Sequence, residues 1–144
     1  MSEFGEFLGI AFKETWSMFG FNVEHNSTVH SEILSSSSDL NVVLGFTGEV
    51  RGSIVIALPK ITASAVSAVM IGTDEINTMT KSALAELSNM IAGSAISKSP
   101  RFMNLTPPSV VAGDNVYLMI SRVKSTNMEF HLNGSPITVS FAME

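Results

Sequence analysis

Residues 40–59 read LNVVLGFTGEVRGSIVIALP, and the fold class turns on them. Leu40–Phe46 and Val50–Leu58 are rich in β-branched and apolar side chains, and Gly45, Gly48 and Gly52 punctuate the join. Two such runs around a glycine-bearing connection predict an antiparallel hairpin, which Pro59 ends. Upstream, Phe4–Phe21 repeats apolar residues such as Phe4, Leu8, Ala11 and Phe12 with the spacing of an amphipathic helix. Between helix and hairpin, Val29, Ser31 and Ile33 alternate only weakly. The run Ser35–Ser38 has no side chain large enough to pack and reads as a loop.

Downstream of the hairpin, Thr62–Ile71 predicts a helix of small residues with Gly72 as its stop. A longer helix follows, capped at Thr73 or Thr78 and running through Leu84, Leu87, Ile91 and Ala95 to about Ser97, with Pro100 barring continuation. Asn115–Lys124 and Met128–Leu132 are expected to pair, and Asn133-Gly134 signals a tight turn before Ile137–Met143. The class is therefore α+β, one domain over residues 1–144 with an antiparallel sheet and helices on a face. Both halves share a helix-then-strands order, as a duplication would leave, without a residue-level repeat.

Composition narrows the chemistry. The 144 residues are 45% hydrophobic and 15% charged, with no cysteine and a net charge of −5. A chain of this length can bury one sizeable core without disulfides or structural metal. Lacking thiols, it has no Cys nucleophile, no CxxC redox pair and no thiolate zinc site. No Lys/Arg run exists to neutralise a phosphate backbone, so nucleic acid is not an expected partner. His25, His30 and His131 are scattered without a ligand-spaced neighbour, so no metal site of its own is expected. The acidic start Met1-Ser2-Glu3-Phe4-Gly5-Glu6 and the absence of an apolar run of about 18–20 residues predict a cytoplasmic protein outside the membrane. A charged fraction below the usual ~25% suggests that a partner or a second copy covers some surface. Ile137–Met143 is a candidate edge for a strand-to-strand homodimer.

The long helix carries the informative constellation. At about 100° per residue, with Glu86 at zero, Leu84, Leu87, Ile91 and Ala95 fall between about 100° and 180°. By the same count Ser82, Glu86, Asn89 and Gly93 fall within about 60° of one another on the opposite side, with Met90 near 40°. Glu86 and Asn89, at i and i+3, thus share one patch facing away from the core. A carboxylate beside a carboxamide offers a charge for pairing with a cation and a neutral group able to orient a water. An ordinary solvated helix face shows the same spacing, so the pair alone does not define a site. Ser82, Met90 and Gly93 border the pair and are candidate partner-binding residues, Gly93 because its missing side chain admits another molecule.

The segment Ala85-Glu86-Leu87-Ser88-Asn89-Met90-Ile91-Ala92-Gly93 resembles the E-x-x-N-M-I-x-G helix of the CheC/CheX/FliY phosphatases. Gly48-x-x-x-Gly52-Ser53-Ile54 with Leu58-Pro59, and Pro107-Pro108-Ser109-Val110-Val111-x-Gly113, are similar to that family's pattern in order and approximate spacing. With a single E-x-x-N the chain resembles the CheX branch rather than CheC, which typically carries two. Ser94 departs from the Asn that many relatives have there, and the Ser35–Ser38 run has no obvious family counterpart. The resemblance implies a CheC-like domain that dephosphorylates the aspartyl phosphate of a CheY-like response-regulator receiver. It further implies Asn89 holding the attacking water, Glu86 pairing with the receiver's lysine, Mg²⁺ brought by the receiver, and a dimer. A non-catalytic adaptor for a receiver or a flagellar-switch component would use the same face. A sensory small-molecule module would require a formed apolar pocket.

Overall fold

The computed structural model describes residues 2–144, so Met1, the first residue of the expected domain, lies outside them. Helical spacing in the N-terminal segment produces α1 (Ser2–Met18), which buries Phe4, Leu8, Phe12 and Trp16. It stops where Gly20 takes φ +87 and the N–H groups of Gly20 and Phe21 close back on Ser17 and Trp16, a Schellman termination. Then follow β1 (Val23–Ser31), β2 (Leu34–Gly48), β3 (Gly52–Leu58), α2 (Lys60–Met70) and α3 (Thr78–Lys98). The chain ends with β4 (Met103–Leu105), β5 (Ser109–Ser121), β6 (Ser125–Leu132) and β7 (Ser135–Met143).

The expected hairpin forms β2 and β3, in register from Leu40 opposite Leu58 to Phe46 opposite Gly52. All strand pairs are antiparallel, in the order β1-β6-β7-β3-β2-β4 with β5 also on β2. Exchanging β1, β2 and β3 with β5, β6 and β7 leaves every pairing among these six unchanged. The helix-then-strands order of the two halves is therefore matched by a pseudo-twofold topology, with α1 and α3 in corresponding places. Ile54 and Ile56 of β3 and Val139 and Phe141 of β7 meet at its centre and face the helices, in one core with Leu84, Leu87 and Ile91 of α3. The turn at Asn133 and Gly134 has φ +49 and +86, the left-handed pair that a two-residue hairpin needs.

Four expectations are corrected. The serine run is strand, not loop: Ser35–Ser38 pairs with Val116–Met119 of β5. Its small hydroxyls suit the crowded face opposite the helices, where Leu34 packs on Val55 and Ala142 and buried Ser36 donates a 2.5 Å bond to Asn41 Oδ1. Asn115–Lys124 accordingly pairs with β2 rather than with Met128–Leu132, whose two edges are taken by β1 and β7. Of the weakly alternating residues before the serine run, Val29 and Ser31 belong to a full nine-residue strand, β1, because β6 offers its free edge to them, while Ile33 lies in the bend between β1 and β2. Lastly, Ile137–Met143 is no edge, since β7 lies between β6 and β3. The outer strands are β1 on one side and β4 and β5 on the other.

Capping also differs from expectation. Asn77, rather than Thr73 or Thr78, caps α3, accepting from Thr80 N at 3.0 Å while the Thr80 hydroxyl accepts from Asn77 N at 3.1 Å. The N-terminus of α2 is capped from a distance: Asp39 accepts from Lys60 N at 2.9 Å and from Asn115 N at 2.8 Å, tying α2 to the bend of β5. These bonds, the Lys60 one foremost, hold the Asp39 carboxyl below its ordinary 3.8. A depressed carboxylate stabilises the fold above its unfolded value, and that contribution is lost as pH falls through the lower folded value. The gap in urea midpoint between the native chain and Asp39→Asn should therefore be full at about pH 6 and shrink on acidification below about pH 4.

Candidate active site

The orientation of α3 follows from what it must bury. Leu84, Leu87, Ile91 and Ala95 are at most 2% exposed, packed against the sheet and α1, which leaves the opposite flank in water. Ser82, Glu86, Asn89 and Met90 are exposed there and Gly93 half-buried, so all five expected site residues share one face. Glu86 and Asn89 lie about 4.5 Å apart along the axis, three residues at the helical rise. Among the described residues neither side chain has a hydrogen-bond or ion-pair partner, so both stand ready for groups from another molecule.

Gly93 leaves this surface flat. A Cβ there would meet only Leu105 of β4, at 3.9 Å, an ordinary contact. The backbone at Gly93 is thus open to approach, and packing does not require the glycine. Met79, which as a methionine would be expected to fill the core, is instead 63% exposed and lies near 20° on the same count, about 10 Å before Glu86 along the axis. Its angle was the available signal. Met79 and Met90 bracket Glu86 with adaptable apolar contact area. Ser94, the departure from the family pattern, lies beside the patch, accepting a 3.1 Å bond from Lys98, which also pairs with Glu14 of α1 at 3.4 Å. No three His, Cys, Asp or Glu side chains among the described residues are grouped to hold a metal ion. The Glu86/Asn89 pair can supply a charge and a water-orienting amide.

Residues 40–131 match the family model of the chemotaxis phosphatase CheX. The chain belongs to the CheX family. Over 94 residues it is 38% identical to the CheY-P phosphatase CheX of Thermotoga maritima, a match covering 60% of this chain and 59% of that protein. The aligned stretch thus spans less than two thirds of the relative's length. A crystal structure of a chemotaxis protein CheX from Desulfovibrio desulfuricans superposes with a TM-score of 0.87 at 27% identity, covering 99% of both chains. A CheX–CheY–BeF₃–Mg²⁺ complex from Borrelia burgdorferi shares the fold, with a TM-score of 0.75 at 21% identity over 99% of this chain and 96% of that one. The CheX family match includes α3 and its E-x-x-N pair. No helix among the described residues is long and apolar enough to cross a membrane.

Because Glu86 and Asn89 are exposed and unpartnered, Glu86→Ala and Asn89→Ala should each change unfolding free energy by less than about 0.5 kcal/mol. Denaturant midpoints of the two variants check this; a loss above about 1 kcal/mol would make the residue structural.

Proposed function

We propose that this protein is a phosphatase for the aspartyl phosphate of a CheY-like receiver domain, acting through the outward face of α3. The observation that carries the reading is the free Glu86/Asn89 pair on the helix that bears the family's motif, beside the open surface at Gly93. The names of the Thermotoga and Borrelia relatives support the substrate. An acyl phosphate is already activated, so the helper's task is mainly to position a nucleophile in line. Asn89 reaches into the receiver's site, its carboxamide oxygen accepting from the attacking water and fixing its direction toward phosphorus. Glu86 pairs with the receiver's lysine and sets the register between the molecules. Mg²⁺ belongs to the receiver and neutralises the phosphoryl oxygens there. This chain contributes no cofactor of its own. Ser82, Met90 and Gly93 form the contact surface around the pair.

Phosphate release from a phosphorylated receiver tests these roles. Asn89→Ala should lose nearly all catalysed release while receiver binding stays within about threefold, because the amide acts on water rather than on the partner. Glu86→Ala should weaken binding about ten- to a hundredfold, the size of a hydrogen-bonded charge pair withdrawn from water. Native protein that binds the receiver without speeding release would favour the adaptor reading.

The protein works in the cytoplasm, where receiver domains are found, and as a homodimer. The pairing edge is β5 rather than β7: among the described residues Ser109–Ser121 pairs with no strand but β2, and Tyr117 and Met119 project from it, 59% and 46% exposed. Such a long open edge favours a closed two-fold pair over open-ended association. Light scattering should give twice the 15.4 kDa chain mass, and Tyr117→Lys with Met119→Lys should return it to one.

A further inference from the structure

A cavity of about 510 Å³ lies away from the α3 face, between the exposed flank of α1 and the strands β1 and β6. Its size is that of a small-molecule site. The wall on the helix side is formed by Gly5, Glu6, Gly9, Ile10 and Lys13, and none of the residues assigned to the receiver face lines it.

The strand side shows how the site is built. His25 and His30 are five residues apart, an odd spacing that would send them to opposite faces of a regular strand. A bulge between His25 and Ser27 inserts one residue into β1 and corrects the parity. His25, Thr28 and His30 then stand opposite Phe130, Met128 and Thr126 of β6, and all six line the cavity. Each imidazole is oriented by a threonine: His25 Nε2 shares a 2.8 Å hydrogen bond with Thr28 Oγ1, and His30 Nδ1 a 3.3 Å bond with Thr126 Oγ1. His25 also rests against Phe130, ring centroids 5.1 Å apart. The second nitrogen of each ring has no partner among the described residues and is free for a ligand. That ligand is organic rather than a metal, because no third ligating side chain joins the histidines.

The cavity is polarised along its length. Gly5 approaches Phe141, which pairs with Thr126, so Glu6 lies at the His30 end. Phe12 stacks on Phe130 at 4.6 Å, so Lys13 lies at the His25 end, and it makes no ion pair among the described residues. Between the ends Gly9 faces Met128 Sδ, 3.8 Å from where a Cβ would stand, beside exposed Ile10. We propose that this cavity binds a small aromatic anion, its flat rings over Gly9 and Met128 and its charged group between Lys13 and His25. Glu6 repels the anion at the far end and so fixes its direction.

Fluorescence titration with 8-anilino-1-naphthalenesulfonate, two aromatic units bearing one sulfonate, tests the site, with neutral N-phenyl-1-naphthylamine as control. One sulfonate probe should bind per chain, at least threefold more tightly than the neutral control. Gly9→Leu, whose Cβ the groove accommodates, and Thr28→Trp on the exposed strand should each fill the cavity and weaken binding at least tenfold without lowering the melting temperature. Lys13→Gln should weaken the sulfonate probe about two- to fivefold, the size of one exposed charge contact, and leave the neutral one unchanged. Absence of saturable binding, or binding that both filling variants leave intact, overturns the site. Equal affinity for the two probes with no effect of Lys13→Gln overturns the anion assignment.

Discussion

Leu84, Leu87, Ile91 and Ala95 leave water together, and this one requirement fixes the rotation of α3 about its axis. Each fully buried Leu or Ile is worth about 1.5–3 kcal/mol relative to exposure, so no turn of the helix that wets this stripe competes with the native one. Everything displayed on the opposite flank is a consequence. Glu86 and Asn89 face solvent because the sheet and α1 hold the other side, and the surface at Gly93 is flat because glycine brings no side chain to it. A patch that needs an unencumbered carboxylate and carboxamide is thus placed by packing it takes no part in.

The sheet secures that packing through its centre. Pairing of β3 with β7 joins the two halves of the chain, and the topology about that pair is symmetric under exchange of the halves. Each half therefore completes the other: β1 closes on β6 and β5 closes on β2. In this arrangement α1 and α3 hold corresponding positions on the sheet yet present different chemistry. The α3 flank is open and carries the acid and the amide. The α1 flank sits beside a cavity whose histidines are aimed inward by a strand bulge.

What could be read from the sequence was whatever depends on local period. Residues 40–58 declared a hairpin by their β-branched runs, and 84–95 declared a buried stripe from which the outward face followed by subtraction. Asn133-Gly134 announced its turn because two successive left-handed residues are costly for most other side chains. What depends on distant partners was hidden. Ser35–Ser38 has almost no strand preference, and only β5, some eighty residues later, makes it a strand. The pairing of Asn115–Lys124 is hidden for the same reason, since sequence neighbours look like natural partners until a remote strand takes the place. Asp39 capping α2 across the chain, and the bulge that turns His25 toward the same side as His30, likewise leave no local mark.

In the proposed function the outward face of α3 is where a receiver domain is engaged. Backbone amide shifts of the ¹⁵N-labelled protein, followed during titration with a CheY-like receiver held in its active form by beryllofluoride and Mg²⁺, test it most directly. The largest changes should cluster on Ser82, Glu86, Asn89, Met90 and Gly93 and spare the outer strand β1. Changes confined to β1 or β5, with residues 79–97 unmoved, would contradict it.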